Sequence, residues 1–136
     1  MKIVAQRVKK ASVSVNGEVI SDIAVGLLLL VGVGKDDGIE DMQYLSRKIA
    51  NLRIFNDDNA MMNLNVKQAN GKILSVSQCT LFAETKRGNR PGFSSSAPAE
   101  IAKKCWIEFN DMLRTEGLDV HEGVFGADMK VALVND

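Results

Sequence analysis

The sequence predicts an α/β domain in which packed, mostly antiparallel or mixed sheets carry two main helices on one side. Three observations lead to this prediction. The dipeptide Asn16-Gly17 lies between two β-prone segments and is a strong hairpin signal. Residues 26–33 form a continuous apolar run, which is typical of a strand covered on both faces. Two later segments, 39–52 and 98–117, have the apolar spacing and the end signals of helices.

The composition fits one globular domain spanning residues 1–136. Hydrophobic residues make up 46% of the chain and charged residues 25%, so a core can form without metal or disulfide support. Lys and Arg number 17, Asp and Glu also number 17, and the net charge is therefore zero. This balance indicates no particular partner. It does not exclude RNA, because a local basic patch is enough to bind phosphates.

The cysteines and the apolar segments exclude several other classes of protein. Cys79 and Cys105 lack metal-ligand spacing, and the single His121 cannot complete a typical zinc set with them, so no metal is expected. We interpret both cysteines as reduced, with a disulfide between them as the alternative. The chain begins without an apolar signal-peptide core, and the run 25–33 is too short to span a bilayer. A cytoplasmic protein without membrane contact is predicted.

The first part of the chain is predicted to be strands. Residues 2–8 are β-prone, residues 12–15 alternate, and residues 18–23 return after the hairpin. This gives an antiparallel start, followed by the apolar strand 26–33.

A first helix is predicted over about 39–52. Asp37 and Glu40, three residues apart, resemble a capping box, and apolar residues then recur with helical spacing. The predicted apolar face comprises Met42, Leu45, Ile49 and Leu52. Short strands are predicted after the helix at 53–55 and 62–66.

The remaining elements are a central strand, a loop, a helix and two closing strands. Residues 72–82 form the best strand candidate, and 84–96 the longest irregular stretch, a kind of segment that is often functional. Pro98 and Gly117 bracket the second helix. Its predicted face comprises Ile101, Cys105, Phe109 and Met112. The closing strands are predicted at 118–120 and 127–134.

The segment 77–81, Ser-Gln-Cys-Thr-Leu, is the most informative for chemistry. If it is a strand, its side chains alternate, so that Gln78 and Thr80 share one face and Cys79 lies on the other. A purely structural interpretation is available, because Thr is a good strand former and Gln an ordinary hydrogen-bonding residue at a strand edge. The residue types alone do not decide between these interpretations.

The ordered motifs, however, resemble those of the D-aminoacyl-tRNA deacylase family. That family carries Ser-Gln-x-Thr-Leu in this part of the chain, and residues 77–81 match it. Further matches lie at 6–8, 53–55, 62–66, 88–91 and 125–129. The resemblance implies a three-layer β/β/α fold and a cytoplasmic homodimer. It also implies an enzyme that hydrolyses the ester joining a D-amino acid or glycine to the 3′ end of tRNA, without a cofactor.

The resemblance implies catalytic-site roles for Ser77, Gln78 and Thr80. Thr80 is the natural candidate for a protein nucleophile, but His121 lies in a presumed late loop, so no Ser/Thr-His-carboxylate system is visible. In the family, the ribose hydroxyl of the terminal adenosine is understood to assist hydrolysis while the protein positions the ester. Cys79 departs from the family pattern, in which Phe is common, and we expect it to be a small buried structural residue.

Other residues are implied to contact the RNA. The resemblance places the terminal adenosine against Phe125, Gly126 and Met129, for which a core aromatic, a turn glycine and a core methionine are the alternative interpretation. The basic residues of the long loop are expected to meet tRNA phosphates or, alternatively, to be merely solvated. They are Lys86, Arg87 and Arg90. His121 is expected to be a surface or structural residue.

The family's second motif, Asn-x-Gly-Pro-x-Thr, is not complete in this sequence. Its Gly–cis-Pro unit is implied to enter the partner's pocket and to reject L-amino acids, but the chain ends at Asn135-Asp136. We expect that the C-terminal strand and this motif are truncated, with an inactive relative as the alternative. Arg7, a cation in an apolar strand, is implied to hold the Gly-Pro segment.

Two functions other than D-aminoacyl-tRNA hydrolysis are also compatible with the sequence. A non-catalytic nucleic-acid-binding relative of the same fold is favoured by the missing Gly-Pro. A related enzyme that removes L-alanine from mischarged tRNA is the other alternative.

Overall fold

The fold is described from a computed structural model that covers all 136 residues. The helices are α1 (Ile39–Asn51) and α2 (Ala99–Thr115). The strands are β1 (Lys2–Val15), β2 (Glu18–Ile23), β3 (Gly26–Gly32), β4 (Phe55–Asn56), β5 (Met62–Leu64), β6 (Lys72–Ser77), β7 (Val120–Glu122) and β8 (Met129–Asn135). A short 3-10 turn, Cys79–Phe82, follows β6.

The main sheet is mixed and has β3 near its centre. Its order is β2-β1-β3-β6-β7, and β8 also pairs with β1. β3 runs antiparallel to β1 and parallel to β6. Because this central strand is covered on both faces, it is almost entirely apolar. The pair β4–β5 forms a separate two-stranded sheet.

The structure joins the two predicted segments 2–8 and 12–15 into the single strand β1. The first half of β1 pairs with β3, and its second half pairs with β2 and β8. A register irregularity between Val8 and Lys10 marks the change of partner from β3 to β8. The hairpin at Asn16-Gly17 is confirmed, and both residues have the positive φ angles, 51° and 78°, that a two-residue hairpin turn requires.

The molecule has three layers, and a hydrophobic core lies between each pair of neighbouring layers. Alternate residues of β3 point to opposite faces, so that Leu27 and Leu29 pack beneath the helices with Phe109, whereas Leu28 packs on the other face. The second core comprises Leu28, Val8, Ala11, Val13, Ile23, Leu74 and Val76. Val131 and Leu133 of β8 cover this second core, and the predicted β/β/α layering is confirmed.

The position of α1 is close to the prediction, but its predicted cap is wrong by one residue. Gly38 is the N-cap, and its backbone N–H donates to the Asp41 carboxylate at 2.9 Å. The Asp37 carboxylate instead accepts from the backbone N–H of Gly34 and pairs with the N-terminal amine of Met1. These contacts join the start of α1 to the end of β3.

The predicted apolar face of α2 is also displaced. Ile101 is 55% exposed, whereas Ala102 and Trp106 are buried next to the correctly predicted Phe109. The helix turns this way because Trp106, the largest side chain, occupies the interface with the sheet and donates its indole N–H to the Ser75 hydroxyl at 2.9 Å.

Several other predicted strand limits differ from the observed ones. The strand predicted over 72–82 ends at Ser77, and the closing strands begin two residues later than predicted, at Val120 and Met129. The strand predicted over 53–55 is displaced to β4, Phe55–Asn56, and the strand predicted over 62–66 shortens to β5, Met62–Leu64. None of the helices is long and apolar enough to cross a membrane.

Gly26 gives a stability prediction. A Cβ at this position would meet the Lys72 backbone, with the carbonyl oxygen as the nearest atom and the amide nitrogen at 2.7 Å. Since neither strand can withdraw without breaking the β3–β6 pairing, Gly26→Ala should lower the free energy of unfolding by about 3 kcal/mol. Urea denaturation measures this. The control is Gly92→Ala, because a Cβ there would meet nothing closer than 3.9 Å, and a loss below about 0.5 kcal/mol at Gly26 would contradict the argument.

Candidate functional site

An apolar cavity of about 810 Å³ opens where β3 and β6 end. Because these strands are parallel, their carboxyl ends meet at one edge of the sheet, which is a common place for binding sites in such sheets. The buried residues Val31 and Val76 and the half-buried Ser77 and Gln78 line the cavity. The other lining residues are Val33, Cys79, Phe93, 96–99, Ala102, Trp106, 125–129 and Val131.

The predicted strand alternation over 77–81 is wrong. The Gln78 backbone N–H still donates to the Val31 carbonyl at 2.8 Å, but the chain then turns into the 3-10 turn. Gln78 and Thr80 nevertheless come together, because the Gln78 side-chain amide donates to the Thr80 hydroxyl. Thr80 is exposed and does not line the cavity, so Ser77 and Gln78 are the motif side chains best placed toward a ligand.

The expectation that Cys79 is buried is wrong. Its side chain is exposed and belongs to the cavity lining, because the 3-10 turn rotates it away from the core. The Cys79 backbone carbonyl accepts from the Ser96 hydroxyl at 3.2 Å. This bond ties the turn to the loop that leads into α2. Cys105 is half-buried, and neither cysteine forms a disulfide.

Phe125, Gly126 and Met129 all line the same cavity. The Phe125 ring lies 5.9 Å from the Trp106 ring, centroid to centroid, and the two rings are tilted by 44°. Gly126 has a φ of +77°, a conformation in which glycine turns the chain without strain. The sequence motifs at 77–81 and 125–129, far apart in the chain, therefore meet at one site.

Sequence reasoning missed two parts of the wall. Trp106 was not assigned to the site, although its spacing of four residues from Ala102 places both on one helix face. The segment 96–99 was also missed. This segment runs alongside the residues that come directly after β3. The Ala97 N–H donates to the Val33 carbonyl at 3.0 Å, and an isolated antiparallel bridge joins Gly34 to Ser96. Pro98, the start signal of α2, was the available clue to this segment.

Arg7 lies outside the cavity and holds Asp136 in place. Its guanidinium donates to the backbone carbonyls of Ile54, at 2.7 Å, and Asp136, at 2.9 Å. It also donates to the Asn56 side chain at 3.2 Å. The Asp136 N–H in turn donates to the Arg7 carbonyl at 2.9 Å. Arg7 is thus a structural clamp between β1, β4 and residue 136.

The basic loop residues Lys86, Arg87 and Arg90 are exposed and do not line the cavity. An antiparallel bridge between Glu84 and Gly92 closes the loop at its base. No carboxylate lies within ion-pair distance of any of the three cations. Their charges are therefore free to meet an anionic partner.

The electrostatics of the cavity limit its chemistry. Asp128 is the single charged residue in the lining, and its carboxylate is exposed and paired with Lys130 at 3.0 Å. His121 lies on β7, outside the cavity, with Nε2 3.2 Å from the Asp119 carboxylate. No group of three His, Cys, Asp or Glu side chains is arranged to hold a metal. The walls offer apolar contact and neutral donors, among them Ser77, Gln78 and Ser96.

Comparisons with known proteins bear on this site. A family model described as D-Tyr-tRNA(Tyr) deacylase matches residues 4–136. A solved structure titled "c-Myc DNA Unwinding Element Binding Protein" is 38% identical, with a TM-score of 0.93 over 100% of this chain and 93% of the other. Another, titled "Structural Analysis of a probable eukaryotic D-amino acid tRNA deacylase", has a TM-score of 0.79 over 98% and 93%. At 15% identity, the latter supports the fold alone.

Proposed function

Because the chain belongs to the D-Tyr-tRNA(Tyr) deacylase family, whose members are ester hydrolases acting on D-aminoacyl-tRNA, we propose that its cavity receives the tRNA 3′ end carrying a D-amino acid or glycine. One observation carries the proposal. The motifs at 77–81 and 125–129 border a single apolar cavity at the carboxyl ends of two parallel strands.

The cavity suits an aminoacylated adenosine. Its volume of about 810 Å³ is within the usual range for small-ligand sites. Phe125 and Met129 give the adenine an apolar surface, and Gly126, which has no side chain, lets the backbone come close. Ser77 and Gln78, which line the same cavity, then face the ester.

We propose that the protein positions the ester and that the RNA assists its hydrolysis. A water oxygen attacks the carbonyl carbon, the ester C–O bond breaks, and the ribose 3′-oxygen leaves with a proton. No histidine or lysine lines the cavity to act as a base, and the one carboxylate, Asp128, is exposed and paired with Lys130, whereas the ribose 2′-hydroxyl lies beside the ester. Gln78 and Ser77 polarise the carbonyl by hydrogen bonding, and Thr80 orients the Gln78 amide.

We also propose that the protein is a cytoplasmic homodimer whose substrate cavities exclude L-amino acids. The resemblance assigns exclusion to a Gly–cis-Pro segment reaching from the partner copy. Arg7 supports this assignment, because it clamps residue 136 against β1 and β4. The basic loop with Lys86, Arg87 and Arg90 is proposed to contact tRNA phosphates.

A second candidate function is nucleic-acid binding without hydrolysis. It is favoured by the neighbour titled as a DNA-unwinding-element binding protein, which is 38% identical and covers the whole of this chain. The two functions are distinguished by whether an ester is cleaved.

Hydrolysis of D-tyrosyl-, glycyl- and L-alanyl-tRNA tests the proposal. We expect release of D-tyrosine and glycine and negligible release of L-alanine. Rapid release of L-alanine alone would instead indicate an L-alanyl-tRNA editing enzyme. Intact tRNA binding without cleavage of any ester would establish the binding function.

The cysteines provide a probe of the cavity. Burial is the main factor that raises the pKa of the Cys105 thiol, and Glu108 and Asp37 raise it further. A raised pKa keeps Cys105 in the unreactive thiol form at neutral pH, so iodoacetamide should label exposed Cys79 at least about tenfold faster. Labelling of Cys105 should rise only as the pH approaches its raised pKa. Mass spectrometry between pH 7 and 10 measures both rates.

A bound ligand should protect Cys79 selectively. A non-hydrolysable amide analogue of D-tyrosyl-adenosine is expected to slow Cys79 labelling while leaving Cys105 unchanged. Equal labelling of Cys79 with and without a saturating amount of the analogue would contradict placement of the substrate in this cavity.

A further inference from the structure

A second depression lies on the exposed face of α1 and contains three cations and an aromatic ring. We call its residues Tyr44, Arg47, Lys48, Asn51 and Arg53 the α1 patch. With Leu52, they line a depression of about 370 Å³. The first four recur at helical spacing, so they share one side of the helix, and Arg53 follows just after its end.

The cations of the α1 patch are not neutralised within the protein. Arg47, Lys48 and Arg53 form no ion pair, although carboxylates are as numerous as cations in the chain. Arg53 donates to neutral acceptors, the Asn63 backbone carbonyl at 2.9 Å and the Asn63 side-chain oxygen. Three unpaired positive charges on one small surface attract an anion.

A structural role of these cations at the end of α1 does not account for the whole patch. Cations near a helix C-terminus interact favourably with its dipole, and this explains Lys48. It does not explain Tyr44, whose apolar ring is 56% exposed, and the contacts of Arg53 with Asn63 leave the charge of Arg53 unpaired. The Lys48 ammonium lies 5.6 Å from the centre of the Tyr44 ring. An exposed ring beside unpaired cations is the combination that binds a base and its phosphate.

An adjoining depression extends the patch with neutral polar groups. It has a volume of about 540 Å³ and shares Asn51 and Arg53 with the first. Its other lining residues are Asn63, Leu64, Asn65 and Gln68. The side-chain oxygens of Asn65 and Gln68 accept backbone N–H groups, but their NH₂ groups make no hydrogen bond and can donate to ribose hydroxyls and base edges. The Asp57 carboxylate accepts hydrogen bonds from the Met61 and Asn59 N–H groups and from the Asn63 side chain, and it forms no ion pair with the cations of the patch.

The α1 patch begins at Tyr44, five residues into α1, and extends to the end of the helix away from the cavity. The segment before α1 reaches the cavity wall, since the Lys35 N–H donates to the Ser95 carbonyl at 3.0 Å and Gly34 bridges to Ser96. α1 has 13 residues, which at a rise of 1.5 Å each gives about 20 Å between its ends. A few nucleotides of RNA span this distance.

We propose that the α1 patch is a second RNA-binding surface, which holds the backbone of the tRNA while its 3′ end occupies the cavity. This proposal rests on the function proposed above. Arg47, Lys48 and Arg53 bind phosphates, Tyr44 stacks on a base, and the amides of the adjoining depression contact ribose. The patch supplies affinity for the tRNA body, whereas the cavity recognises the aminoacyl ester.

The double substitution Arg47→Glu/Lys48→Glu tests the proposal and leaves the Arg53–Asn63 contacts in place. It should weaken binding of uncharged tRNA by at least about 10-fold and lower the slope of log Kd against log salt by about 2. The value of kcat/KM should fall similarly for D-tyrosyl-tRNA but stay within twofold for D-tyrosyl-adenosine, which is too short to reach the patch. The matched control is Lys103→Glu/Lys104→Glu, also two adjacent exposed cations on a helix.

Tyr44 provides an independent test with no change of charge. Tyr44→Ala should weaken tRNA binding by about 5-fold or more, and Tyr44→Phe should restore it, because the ring rather than the hydroxyl stacks. Wild-type tRNA affinity and salt slope in the double variant, or equal losses in the control, would overturn the inference even if the ester is hydrolysed. Absence of hydrolysis by the wild-type protein would instead overturn the proposed function, while the binding measurements still decide on the patch.

Discussion

Replacing the 2′-hydroxyl of the terminal adenosine by hydrogen should slow hydrolysis of D-tyrosyl-tRNA by about 10³-fold. The cavity lining contains no histidine or lysine, and its single carboxylate, Asp128, is exposed and paired with Lys130 at 3.0 Å rather than placed to activate water. The ribose 2′-hydroxyl is held next to the ester by the substrate itself. Single-turnover hydrolysis of tRNA charged on its 3′-hydroxyl, with and without the 2′-hydroxyl, measures the effect.

Thr80→Ala is the protein-side counterpart, and it should lower the rate by less than about tenfold. Thr80 is exposed, does not line the cavity and accepts a hydrogen bond from Gln78, which fits an orienting role. Gln78→Ala should cost more, about 10²-fold, because it removes a donor to the carbonyl. The reverse ranking, with Thr80→Ala nearly inactive and the 2′-deoxy substrate nearly normal, would establish Thr80 as the nucleophile.

Ala99→Trp should abolish at least about 99.9% of hydrolysis by filling the cavity. Ala99 is the first residue of α2 and lines the cavity, yet it is exposed, so a large side chain can be placed there without displacing core residues. The indole would occupy space that the substrate needs, and we expect a loss of about 10³-fold in kcat/KM with little change in melting temperature.

The control for this variant is Lys103→Trp, one helical turn further along α2 and outside the cavity lining. It adds the same side chain to an exposed position of the same helix and should retain activity. If Ala99→Trp is folded and hydrolyses D-tyrosyl-tRNA as fast as Lys103→Trp, the substrate does not enter this cavity.

The elements that the sequence predicts well depend on local patterns. The hairpin at Asn16-Gly17 and the limits of α1 follow from turn chemistry and helical periodicity within a few residues. The continuity of β1 could not be predicted this way. Lys9 and Lys10 interrupt the apolar pattern, and the strand persists there because β8, from the other end of the chain, pairs beside it.

The candidate site shows the same division. The motifs predict Ser77, Gln78, Phe125, Gly126 and Met129 as site residues, and all five line one cavity, whereas Thr80, also predicted, does not. The placement of Cys79 was wrong because strand alternation was extended past Ser77, where the chain enters a 3-10 turn. Such a turn is determined by contacts that are distant in sequence, including the bond from Ser96 to the Cys79 carbonyl. Trp106 lines the cavity because α2 turns that side chain toward the sheet, where its indole N–H donates to the Ser75 hydroxyl, and this orientation depends on β6 rather than on the helix sequence.

The pairing of β1 with β8 has a consequence for how the protein is made. The second half of β1 accepts β8 as a neighbour, and residues as distant as Gln6 and Asn135, 129 positions apart, form a hydrogen bond. During synthesis, one edge of an early strand therefore stays open until β8 has left the ribosome. Folding with so many distant contacts is slow, and an open strand edge can pair with another chain. Nascent chains that stop before β8 should be the species most prone to aggregate.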